Sequence, residues 1–112
     1  MKRLVISRLA EDDLAGIYRF LATEYDLDAA ERFRVRAEKA LLQLARHAEL
    51  GPRPAWSTRH KKLRFWVISK SNYIIYYEST KDEVSIERVL DGRRDVKRII
   101  ELRIEHPPEN DG

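Results

Sequence analysis

The chain has 112 residues, 37% of them charged and 43% hydrophobic, with a formal net charge of +3 and no cysteine. That length points to one domain with one modest core, and the missing cysteines exclude disulfides, thiolate metal sites and cysteine nucleophiles. No stretch approaches the ~20 apolar residues of a membrane span, and the expected compartment is the reducing cytoplasm.

The opening Met1-Lys2-Arg3-Leu4-Val5-Ile6 is basic, then apolar for only three residues. This is too short for a signal-peptide core and reads as an edge strand. Ser7 offers a hydroxyl for a helix N-cap, and Asp12 and Asp13 favour the positive end of the helix that follows. Leu14, Ile17, Tyr18, Leu21 and Tyr25 recur at helical spacing, which predicts a helix from about Leu9 to Glu24. Gly16 inside it costs about 1 kcal/mol relative to Ala.

Asp28-Ala29-Ala30-Glu31 has the capping-box pattern. A second helix is predicted from there to about Ala48, with Ala30, Phe33, Ala37, Leu41, Leu44 and Ala48 as its apolar stripe. Gly51 suits a left-handed cap, and Pro52 cannot continue the helix. The short connection makes the two helices an antiparallel hairpin.

Residues 53–62 show no period and read as a loop. The period then becomes two. Leu63–Ile68, Tyr73–Glu78 and Val84–Leu90 are three strands joined by short turns, an antiparallel meander. Asp95 is placed to cap a last helical turn or two through Ile100 and Leu102. The fold class expected is α+β: an N-terminal strand, a helical hairpin packed on the antiparallel sheet, and a short C-terminal helix. Residues 1–104 form the expected single domain and 105–112 a flexible tail. The other face of the sheet is expected to stay open and to display guanidinium groups.

Charge is unevenly placed. From Arg53 to Lys70 there are six basic residues and no acid. Such a block is either a solvated loop or a surface for an acidic partner. Arg64 and Arg88 fall on strands of one sheet. Each has a plain structural reading, Arg64 paired with Glu78 or Glu87 across strands and Arg88 with Asp95. Each also has a functional one, an anion site. Trp66 is either core or an anchor for a bound peptide. His47, His60 and His106 are scattered, so no metal is expected. Neither a phosphate loop nor a nucleophile elbow is present, and no cofactor is expected.

The chain resembles the ParE branch of the ParE/RelE toxin superfamily over about Leu4 to Ile100. The resemblance rests on Leu4-Val5-Ile6-Ser7 with Ala10-Glu11-Asp12-Asp13-Leu14, Ala29-Ala30-Glu31-Arg32-Phe33, Glu49-Leu50-Gly51-Pro52, Leu63-Arg64-Phe65 and Tyr73-Ile74-Ile75-Tyr76-Tyr77. Its most specific piece is Glu87-Arg88-Val89-Leu90-Asp91-Gly92-Arg93-Arg94-Asp95. The resemblance implies the toxic half of a type II toxin–antitoxin pair. A ParD-like antitoxin would wrap its C-terminal segment onto a basic groove by coupled folding and binding. For the ParE branch it implies inhibition of DNA gyrase by contact. For the RelE branch it implies ribosome-dependent mRNA cleavage, with direct contact to nucleic acid.

RelE-like nucleases usually carry Tyr or His just after the last strand, and this chain reads Gly92-Arg93-Arg94-Asp95-Val96 there. Many ParE members carry His before the glycine, where this chain has Asp91. The expected surface for target or antitoxin is Arg59, Lys61, Lys62, Arg64, Trp66, Tyr76, Arg88, Arg93 and Arg94. On the alternative nuclease reading the catalytic set would be Arg64, Arg88 and Tyr77, with Tyr76 or His60 as further proton carriers.

Overall fold

The structure is a computed structural model, and it describes residues 1–57 and 61–104, with side chains described as far as residue 101. The expected tail, 105–112, and the site candidates Arg59 and His60 lie outside the described residues. The elements in chain order are β1 (Arg3–Ile6), α1 (Arg8–Glu24), α2 (Leu27–Arg46), β2 (Arg64–Val67), β3 (Tyr73–Ser79), β4 (Glu83–Asp91) and α3 (Val96–Ile104).

The four strands form one sheet in the order β1-β4-β3-β2. The meander is antiparallel as expected, and β1 joins its far side parallel to β4, with Arg3 opposite Glu83 and Ile6 opposite Ile86. An Arg3–Glu83 ion pair closes the outer end of that match.

Past Ile6 the chain turns into α1, and its side chains take over as partners for the edge of β4. Ser7 accepts the N–H of Ala10 at 3.1 Å as the N-cap and donates its hydroxyl to the carbonyl of Glu87 at 2.9 Å. Asp13, one and a half turns on, accepts the N–H of Val89 at 2.9 Å. An unpaired strand edge is thus satisfied without a fifth strand.

The helix connection differs from the sequence expectation. Asp26, not Asp28, caps α2, accepting the N–H of Ala29 at 2.7 Å. The link between the helices is therefore only Tyr25 and Asp26. The exit differs too. The helix ends at Arg46, and Gly51 has an ordinary negative φ. Its lack of a side chain matters for space instead: a Cβ there would lie 2.3 Å from the carbonyl oxygen of Phe65 and 2.6 Å from the hydroxyl of Tyr77.

The main core lies between the hairpin and the sheet. Phe33, Ala37, Ala40, Leu41, Leu44 and Ala48 meet Ile68, Ile75, Tyr77, Val84, Ile86 and Val89. The predicted α2 stripe is buried throughout, Ala30 included. Burying each large side chain contributes about 1.5–3 kcal/mol relative to exposure. Phe33 meets Tyr73 edge to face with ring centroids 5.2 Å apart.

The second face of the sheet is not open. Leu63, Tyr76, Leu90 and Ile100 form a smaller buried cluster there, flanked by Trp56, Phe65, Ile74, Val96 and Ile99. The amphipathic α3 and the Trp56 loop close over alternate residues of the strands, so the sheet is sandwiched. Asp95 supports this cover, accepting the N–H of Arg98 as expected of a cap.

Candidate functional site

The arginines of the sheet are engaged by the chain itself. Arg64 projects from β2 on the hairpin side, in register with Tyr77. Its Nη1 donates to the carbonyl of Gly51 at 2.6 Å and to that of Glu49 at 3.3 Å. The expected partners Glu78 and Glu87 are not used. Tyr77 completes the same latch: its hydroxyl donates to the carbonyl of Ala48 at 2.7 Å and accepts the N–H of Gly51 at 2.9 Å. The segment after α2 has no helical partners for its backbone, and these two side chains supply them. Burial pushes the Tyr77 phenol up, against the lowering effect of the Gly51 N–H and Arg64. A phenol so held keeps its proton and is a poor general base.

Arg88 reaches Asp13 rather than Asp95. Its Nε and Nη2 meet the two carboxylate oxygens at 2.8 and 2.9 Å. Only 12% of the Arg88 side chain and 14% of that of Asp13 are exposed. The bidentate pair, with Val89 as a third donor, ties α1 to β4.

Other predicted residues scatter. Tyr76 is buried in the second cluster near Trp56 and Phe65, with burial pushing its phenol up. It is core and not a contact surface. Arg93 is exposed and pairs with Asp91 at 2.7 Å, holding that carboxyl below its usual range. Arg94 lies against α1 in a groove with Asp12, Asp13 and Phe20. Lys61 and Lys62 are exposed on the loop before β2. The structure therefore brings Arg64 and Tyr77 together in one latch, while Arg88 is engaged by Asp13, and all three spend their polar atoms on the chain itself. Among the described residues no three His, Asp or Glu side chains converge as a metal site.

What does assemble is a groove of about 750 Å³ between α2 and β2. Arg36, Lys39, Gln43 and Arg46 descend one side of α2, next to its buried stripe. Trp66 and Val67 form the opposite wall, and Ser69 and Lys70 close the end. No acid lines it. Leu42 and Val67, both about half exposed, add apolar surface.

The groove also borders a sheet edge, since β2 is the outermost strand. In an antiparallel pair alternate residues point their backbone groups outward. Here Phe65 does so, and its N–H is taken by the carbonyl of Pro52 at 3.0 Å. Val67, two residues on, directs its backbone groups to the groove. Of the predicted residues that are described, only Trp66 lines this groove. Arg36, Lys39 and Arg46 were missed, although their spacing of three and seven along a helix was a readable signal for a shared face.

The family model "ParE toxin of type II toxin-antitoxin system, parDE" matches residues 4–96. A solved structure, described as the chromosomal ParDE TA system from P. aeruginosa, superposes with a TM-score of 0.68 at 20% identity, covering 80% of this chain and 94% of that one. No curated protein matches the sequence. The family match takes in β1 from Leu4 on, β2 through β4, the groove, the Arg64–Tyr77 latch and the Arg88–Asp13 pair, and on its strength this chain belongs to the ParE toxin family of type II toxin–antitoxin systems.

Proposed function

We propose that this toxin acts in the cytoplasm by binding DNA gyrase, without chemistry of its own, and is silenced when an antitoxin segment fills the α2–β2 groove. The observation that carries the non-catalytic reading is the engagement of Arg64, Tyr77 and Arg88. Each directs its polar atoms to the chain's own backbone or to Asp13. General acid–base cleavage of RNA needs such groups facing a substrate.

The groove supports the antitoxin reading. Four cations with no carboxylate among them favour an acidic segment, while Leu42, Val67 and Trp66 favour apolar anchors on it. The outward backbone of Val67 offers a short edge for an added strand. Arg93 and Arg94, exposed after β4, remain candidates for the gyrase contact.

A supercoiling assay tests the target. Excess purified toxin should abolish gyrase supercoiling, and the cognate antitoxin should restore it. The double substitution Arg36→Glu and Arg46→Glu should keep the inhibition but weaken neutralisation about 100-fold or more, as expected for reversing charges at an interface. Undiminished supercoiling at saturating toxin rules gyrase out. Codon-linked cuts in translated mRNA would then favour the RelE-like activity.

A further inference from the structure

A second concave site lies at the far end of the hairpin, where the Tyr25–Asp26 link faces the β2–β3 turn. It is a cavity of about 300 Å³. Arg32 and Arg36 reach it from successive turns of α2, and Lys70 from the β2–β3 turn; Arg36 and Lys70 stand on the border with the α2–β2 groove, which they also line, and Arg32 belongs to this cavity and not to that groove. None of these three makes an ion pair within the described chain, and no acid lines the cavity. Arg93, shared with Asp91, forms the remaining basic wall.

Two like charges four residues apart on a helix repel one another, and a third cation is held against them. Lys70 is also in the left-handed backbone region, with φ at 58°. Non-glycine residues in that region are uncommon and recur in tight turns and at ligand sites.

The same cavity carries rings. Phe20 is 51% exposed and Tyr25 71% exposed, both large apolar surfaces left in water. Tyr73 sits beneath them, its phenol pushed up by burial and by the nearby Asp91.

Unpaired cations beside open aromatic faces match one ligand chemistry: a phosphodiester chain whose bases are free to stack. We propose that this tip site binds single-stranded nucleic acid, with Arg32, Arg36 and Lys70 on phosphates and Tyr25 and Phe20 on bases. A duplex fits less well, because its bases are already stacked inside. An acidic peptide also fits less well, because here, unlike at the α2–β2 groove, the exposed apolar surface is aromatic and no open strand edge is at hand. The inference is independent of the gyrase proposal, since it concerns a direct ligand of the purified chain.

Fluorescence anisotropy tests it, using the full-length toxin and labelled DNA and RNA strands of about 12 nucleotides, within the usual site sizes for such binders. Either strand should bind, more tightly than the matching duplex and more weakly as salt rises. Arg32→Ala and Lys70→Ala should each lower the salt slope by about one. Tyr25→Ala should lower affinity about tenfold and leave the slope unchanged. Lys81→Ala, on the exposed β3–β4 turn and outside both the cavity and the groove, should change neither. The thermal midpoint of each exposed-site variant controls for folding.

No binding to any strand at about 50 mM salt overturns the proposal. So does an equal loss from Lys81→Ala, which would mean a diffuse basic surface. Displacement of the strand by polyglutamate at equal charge concentration would reassign the cavity to an acidic protein and likewise defeat it.

Discussion

The arginines of the sheet and the cations of α2 face opposite fates. Arg88 and Arg64 emerge from strands, and each is bound by groups distant in sequence: Asp13 for one, the backbone of Glu49 and Gly51 for the other. Arg36, Lys39 and Arg46 emerge from one helix face and form no ion pair among the described residues. The difference follows from geometry. A strand inside a sandwich has both faces covered, so a charge there must find a partner or be excluded. A helix on the outside has a face that its own fold never needs, and charge left there is free to meet another molecule.

The sharpest way to break this contrast is Asp13→Ala. It strands a mostly buried guanidinium and removes the acceptor of the Val89 N–H. The expected loss is about 3 kcal/mol, or roughly 10–15 °C in the thermal midpoint of a chain this size. A loss under about 1 kcal/mol would mean that Arg88 is as free as the helix cations.

Glu87 gives a smaller test, because it is the charge in β4 that finds no partner. It is the extra residue of the bulge where the β3–β4 register shifts at Tyr76 and Tyr77. Burial raises its carboxyl above the ordinary range, helped by Glu78. The folded state then holds this proton to higher pH than the unfolded chain does. The penalty begins as pH rises through the unfolded value and is complete above the folded one. Glu87→Gln should therefore stabilise the protein at pH 7 and leave it unchanged at about pH 3. Urea unfolding at the two pH values measures it.

The least effect is expected from Arg46→Ala. An exposed, unpaired arginine should change stability by less than about 0.5 kcal/mol, while neutralisation by antitoxin should suffer. Calorimetry on the free toxin reads the first part.

Much of this architecture was legible from pattern. The period of three to four marked both helices, and the period of two marked the meander, because burial on one side dictates each. Ser7 and Asp95 were legible as caps from residue type and position. The capping box at Asp28 misled because Asp26, two residues earlier, offers the same carboxylate chemistry, and the choice depends on how tightly the hairpin turns. The cover on the second sheet face was hidden for another reason. Val96, Ile99 and Ile100 have a helical apolar stripe, but its docking place depends on tertiary contacts with Leu90, Tyr76 and Trp56.

The candidate site was less legible than the fold. Arginines in the basic block drew attention by local density, yet Arg64 serves the fold and Arg59 lies outside the described residues. The groove cations are spread over ten helical positions and one turn, and only folding brings them side by side. Partner choice within the sheet was equally hidden, since Arg88 and Asp13 are 75 positions apart.

The parallel match of β1 with β4 has a consequence for how the molecule comes into being. Arg3 and Glu83 are 80 positions apart, so β1 finds its seat only after both helices and the meander have been translated. The Ser7 and Asp13 attachments to β4 wait for the same moment. A nascent chain that stalls before residue 83 has nowhere to dock its beginning, and an interrupted synthesis yields a fragment without the finished shape of the poison.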